Sequence, residues 1–135
     1  MIKPTPEILT ALELCPVEFP DAGGIVRRVS HERDTLVLRS FWQRESCGYT
    51  YLAWFEAAAL MEKCWREKLA ALGIEVSMPD GISDRTRRSV YRQGGMWLGL
   101  NGRWTNHPCY IALFPSDIEA LAAAILATMG PAVQR

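Results

Sequence analysis

Residues 35–54 read TLVLRSFWQRESCGYTYLAW, and residues 104–114 read WTNHPCYIALF. Trp42 and Cys47 in the first stretch have the same spacing as Trp104 and Cys109 in the second. Each pair opens a β-like segment, residues 48–54 and then 109–113. Each segment runs into Phe55 or Phe114 and on toward an alanine-rich helix. The echo suggests two similar ββα halves.

Within the first stretch Leu36, Leu38, Ser40 and Trp42 alternate with Val37, Arg39 and Phe41, the period of a strand. Residues 25–30 alternate in the same way. The polar run His31-Glu32-Arg33-Asp34 between them reads as a four-residue hairpin turn. The aromatic and β-branched residues 48–54 read as a third strand. Beyond it, Leu60, Met61, Cys64, Trp65, Leu69 and Leu72 recur at helical spacing over residues 55–72. Glu62 and Arg66 are expected to pair one turn apart on the wet side, and Gly73 to stop the helix. Upstream, Thr5-Pro6 starts a helix on Ile8, Leu9 and Leu12 that Pro16 ends.

In the second half Pro79-Asp80-Gly81 marks a loop over residues 78–83. Residues 85–93 read as a strand on Thr86, Val90 and Tyr91, although Ser83 and Gly94-Gly95 would also cap a short helix. Asn101-Gly102 predicts a type I′ hairpin, with Trp97 and Trp104 free to pair across it. Ser116-Asp117-Ile118-Glu119 is a capping box that opens the last helix. The expected fold is therefore one α+β domain over residues 1–135. An antiparallel sheet would carry helices on one face, in the order α-βββ-α-(β)ββ-α. In outline this order resembles that of small dimeric secretion chaperones. Those are typically acidic and this chain is neutral; no motif is shared and no family is assigned.

Formal net charge is zero, so no global field draws the chain to nucleic acid or anionic membrane, and little repulsion separates two copies. The N-terminal residues show no signal-peptide core, and the apolar run 120–129 is too short to span a bilayer. A cytoplasmic protein is expected, with no membrane partner. The excess of Arg over Lys points to a GC-rich bacterial coding sequence. Four cysteines (Cys15, Cys47, Cys64, Cys109) fall at no zinc-finger or redox spacing, so packed thiols are expected. No metal or cofactor is expected.

The residues leave three function classes open. A thiol enzyme has only Cys47, Cys109 and His107 to draw on. Pro108 interrupts the strand that would put His107 and Cys109 on one face, and no orienting carboxylate stands out. Carboxylates are scattered, and Gly94-Gly95 and residues 99–102 match no phosphate-binding pattern. A nucleic-acid-binding regulator would use Arg85, Arg87, Arg88 and Arg92, read as a short helix followed by the Asn-Gly wing. The leading expectation is a small non-enzymatic protein working through protein contacts: an adaptor, chaperone, inhibitor or regulator, and a homodimer. Five tryptophans supply interface anchors. The last helix is uncharged from Ala120 to Met129, so either something covers it all round or its alanines face water. The partner-binding residues expected on this basis are Trp97, Trp104, Leu121, Ile125 and Met129.

Overall fold

In a computed structural model, which describes residues 4–33, 35–77 and 87–130, the chain forms three helices and two antiparallel four-stranded sheets. Helix α1 is Pro6–Leu14. The Thr5 hydroxyl accepts from the Ile8 amide, and Pro6 occupies the first turn, where a missing N–H costs nothing. Strands β1 (Glu18–Pro20), β2 (Ile25–Glu32), β3 (Thr35–Trp42) and β4 (Glu45–Tyr51) follow as an antiparallel meander, in that spatial order. Helix α2 (Trp54–Ala70) ends where Gly73, at φ 76°, lets the chain reverse. Strands β5 (Ile74–Ser77), β6 (Ser89–Arg92), β7 (Met96–Leu98) and β8 (Trp104–Thr105) form the second meander. Helix α3 (Asp117–Met129) closes the fold, with the Ser116 hydroxyl accepting from the Glu119 amide as the capping box requires.

The class is α+β and antiparallel, as expected, but the single sheet is a correction. Strand β5 leaves α2 at Gly73 and pairs with β6, so it never reaches the free side of β4. The two ββα halves also differ. Trp42 and Cys47 lie on β3 and β4, whereas Trp104 opens a two-residue strand and Cys109 sits in a 3₁₀ turn (Pro108–Tyr110). Pro108 sets up that turn, and residues 111 and 114 make only single bridges, to Gly99 and Arg88.

Two local turns also depart from the sequence reading. The 31–34 turn is tighter than four residues, because pairing runs through Glu32 and Thr35. The Asn101-Gly102 hairpin is wider than type I′. Leu98 pairs with Trp104, Gly99 donates to the Arg103 carbonyl, and the Asn101 side chain accepts from the Arg103 amide. Gly99 is needed here, since a Cβ would lie 2.8 Å from the Arg103 oxygen. The 78–83 loop falls outside the described residues.

The core is a helical layer. Trp65, Met61 and Leu69 of α2 pack with Ile8 and Ala11 of α1, and with Leu121 and Ile125 of α3, all essentially inaccessible. The buried Trp65 indole donates to the Cys15 carbonyl at 2.9 Å, so no polar atom is stranded by its burial. Helix α3 runs against α1, α2, β5 and β6. Its uncharged character thus has a cause inside the molecule: Ala120, Ala122 and Ala124 are fully buried by the chain itself. Asp117 at its first turn accepts from Arg66 of α2 (2.5 Å) and from Arg88 (2.6 Å), which ties the helix start to both neighbours. Arg66 therefore reaches across to α3 instead of being held by Glu62. No helix among the described residues is long and apolar enough to cross a membrane.

Candidate functional site

The two edges of the first sheet are its chemical extremes. Strand β4 is the outer edge, and all seven of its residues are exposed. From Ser46 to Tyr51 it carries no charge and no proline. Tyr51 is 69% exposed, and Phe55, at the start of α2 just beyond the strand, is 73% exposed. Tyr49 is also exposed, as is Trp42 at the end of β3. Tyr49 and Tyr51 lie edge to face, with ring centres 5.7 Å apart. The Arg39 guanidinium sits 5.3 Å over Tyr49 and is itself bonded to Glu32. The hydrogen bond with Tyr51 raises the Tyr49 phenol above its ordinary pKa; Glu32 adds to this and Arg39 opposes it.

The backbone of this edge has a definite phase. Leu52 donates to the Leu36 carbonyl, so the pairs Leu36–Leu52, Leu38–Thr50 and Ser40–Gly48 are the hydrogen-bonded ones. Tyr49 and Tyr51 pair with Arg39 and Val37 in the alternate, non-bonded positions. Their N–H and C=O groups therefore point away from β3, off the sheet. A β-bulge between Ser40 and Phe41 makes Cys47 the extra residue and ends the regular edge there.

A second apolar surface lies at the other end of the molecule. Leu98, Leu100, Leu113, Phe114, Leu126 and Ala127 line an open groove of about 800 Å³ between the 98–103 turn and α3. A neighbouring depression of about 740 Å³ is lined by Arg92, Trp104 and Thr128. The polar groups beside these hollows are engaged locally. Asn101 holds the Arg103 amide, and Arg92 stacks 4.8 Å over Trp104. They do not converge on a common point as the polar groups of a small-molecule site do.

Leu121 and Ile125 belong to the chain's own core, at 1% and 0% exposure, which corrects their placement on a partner-facing side. Met129 is half-buried against that core. Trp97 and Trp104 are half-buried on opposite faces of the second sheet, because Trp97 pairs with Thr105 and Trp104 with Leu98. Trp97 stacks on Tyr91 at 5.1 Å instead of meeting Trp104. Arg85 lies outside the described residues. Residues 89–92 form strand β6, so the recognition-helix geometry does not arise; Arg88 holds Asp117 and Arg92 holds Trp104.

Cys47 is on the first sheet, while His107 and Cys109 follow the second, where the His107 ring packs against Tyr110 at 4.9 Å. No hydrogen bond among the described residues joins His107 to either thiol. Burial raises the thiol pKa of both Cys15 and Cys64, with Lys68 opposing in each case, as befits packed thiols. No group of ligands suited to a metal ion occurs among the described residues.

Sequence reasoning missed Tyr49, Tyr51 and Phe55. The available signal was an uncharged, aromatic, proline-free strand. No family model matches this sequence, and no curated protein or solved structure matches it.

Proposed function

We propose that this protein is non-enzymatic and acts through protein–protein contacts, as an adaptor, chaperone, inhibitor or regulator, with the β4 edge as its contact surface. One observation carries the reading: an entirely exposed edge strand that presents unpaired backbone groups and two tyrosines, with Phe55 beside it. An exposed edge is a template for another strand, and natural folds normally blunt it with charge, proline or a cover. Here those devices are missing from Ser46 to Tyr51. Main-chain bonds supply affinity in strand addition, and aromatic side chains supply anchors at low entropic cost. A cytoplasmic setting and a homodimeric state belong to the same reading.

The test is comparative capture. Tagged wild-type protein and the Tyr49→Lys/Tyr51→Lys double variant are used as bait in native cells, and the retained chains, further copies of the bait included, are quantified. The variant is expected to lose at least one stoichiometric partner by about tenfold while keeping its circular dichroism spectrum. Identical capture by the two baits refutes the reading.

A further inference from the structure

We propose that the occupant of the β4 edge is the β4 edge of a second copy, paired antiparallel about a two-fold axis through Thr50. This rests on the protein-contact reading above and adds the partner and the register.

The choice of partner follows from the edge itself. Its six residues from Ser46 to Tyr51 are uncharged, and the chain's net charge is zero, so two copies meet without repulsion. Antiparallel pairing carries the Arg44-Glu45 end of each strand toward the second copy's Phe55-Glu56 corner, where Arg44 offers Glu56 a cation, Glu45 adds a carboxylate, and the exposed Phe55 gains a neighbour.

The register follows from the hydrogen-bond phase. Only Tyr49 and Tyr51 present regular outward N–H and C=O groups. Setting Tyr49 opposite the second copy's Tyr51 uses both residues of both copies in two hydrogen-bonded pairs. Setting Tyr49 opposite its own equivalent would require Cys47 to pair with Tyr51, but Cys47 is the extra residue of the bulge and is out of phase. Setting Tyr51 opposite its own equivalent would require the Ala53 carbonyl, which already accepts from the Ala57 amide at the start of α2. The remaining register places Thr50 opposite Thr50 in a non-bonded pair and lines four tyrosines along one face. The two four-stranded sheets become one of eight strands.

A directed cross-link tests this. In a Cys47→Ser/Cys109→Ser background, Thr50→Cys places two thiols at the two-fold axis. Cα atoms of a non-bonded antiparallel pair are about 4.5 Å apart, within disulfide range. Ser46→Cys in the same background is the control, because position 46 faces the second copy's position 54. Under mild oxidation with copper–phenanthroline, Thr50→Cys is expected to form linked dimer at least about tenfold faster than Ser46→Cys. The unlinked background protein is expected to have a dimer's mass by light scattering. A dimer whose Thr50→Cys form links no faster than the control overturns the register. A monomer overturns the second copy as occupant and with it the homodimeric state, and leaves contact with another protein to be decided separately by the capture experiment.

Discussion

Strands β1 and β4 close the same sheet on opposite sides, yet they handle an open edge in opposite ways. Strand β1 has three residues, ends in Pro20, and pins Glu18 to Arg28 at 2.8 Å. Proline removes a donor and the paired charges hold water, so a further strand gains little there. Strand β4 has seven residues and, from Ser46 onward, neither device. Its one irregularity, the bulge at Cys47, limits the usable edge to Tyr49–Tyr51 without closing it. The difference teaches that exposure alone does not mark an interaction surface. What sets β4 apart is the absence of the protections that its own sheet applies on the other side.

The strongest way to break this contrast is to give β4 the device that β1 has. Because the Tyr51 amide points away from β3, Tyr51→Pro removes no ladder bond within the sheet. We expect it to weaken self-association by more than about tenfold, measured by sedimentation equilibrium, with thermal stability nearly unchanged. A comparable loss of stability would show that the amide faces inward and that the assigned phase is wrong.

Hydrogen exchange gives a smaller but site-specific effect. The Thr50 amide is bonded to β3 and should be protected at any concentration. The Tyr49 and Tyr51 amides should gain about tenfold protection only as concentration rises. Amides of β1 should show no such dependence.

Thiol reactivity sharpens the same comparison chemically. Cys47 and Cys109 are exposed, whereas Cys15 is buried and Cys64 half-buried. Maleimide is expected to label the first two in the native state. Cys15 and Cys64, whose pKa values are raised mainly by burial, should label at rates about a hundredfold lower until the chain unfolds. Association through β4 should slow Cys47 but not Cys109.

The smallest effect lies in the helical layer, which the edge comparison holds constant. Burial, reinforced by Asp117 and opposed by Arg66, raises the Glu62 pKa. A carboxyl with a raised folded pKa binds its proton more tightly in the native state, so its ionisation costs stability as pH rises through that range. Glu62→Gln should therefore raise Tm by roughly 1–2 °C at neutral pH, with the gain vanishing near pH 4. Self-association should be unaffected. A Glu62→Gln variant with altered dimer mass would mean that the helices, not the edge, set the interface.

Legibility of the chain follows the range of the interactions involved. Thr5, Ser116 and Gly73 act within a turn of themselves, and the helix boundaries they set were readable from residue type. The alternation around Leu36 and Val37 likewise gave β2 and β3. Asn101-Gly102 was misleading because Gly99 and the Asn101 side chain build a wider turn, whose stability depends on the 110–112 segment returning beside it. The Trp-Cys echo failed because Pro108 converts the second copy of the pattern into a turn. The uncharged last helix leaves two readings open, a cover all round or alanines facing water, since sequence shows that a face is apolar and not what covers it.

By itself, then, the sequence determined the α+β antiparallel class, the three helices with the caps at Thr5 and Ser116, and the hairpin strands of the first half. These rest on local periodicity and on hydrogen bonds between near neighbours. Only the tertiary structure decided that there are two sheets, that α3 is buried by its own chain, and that Tyr49 and Tyr51 face outward on an unprotected edge. Each of those depends on which distant segments fill the space beside a given strand or helix. That is a competition for surface and hydrogen-bonding partners that no short stretch of residues encodes alone.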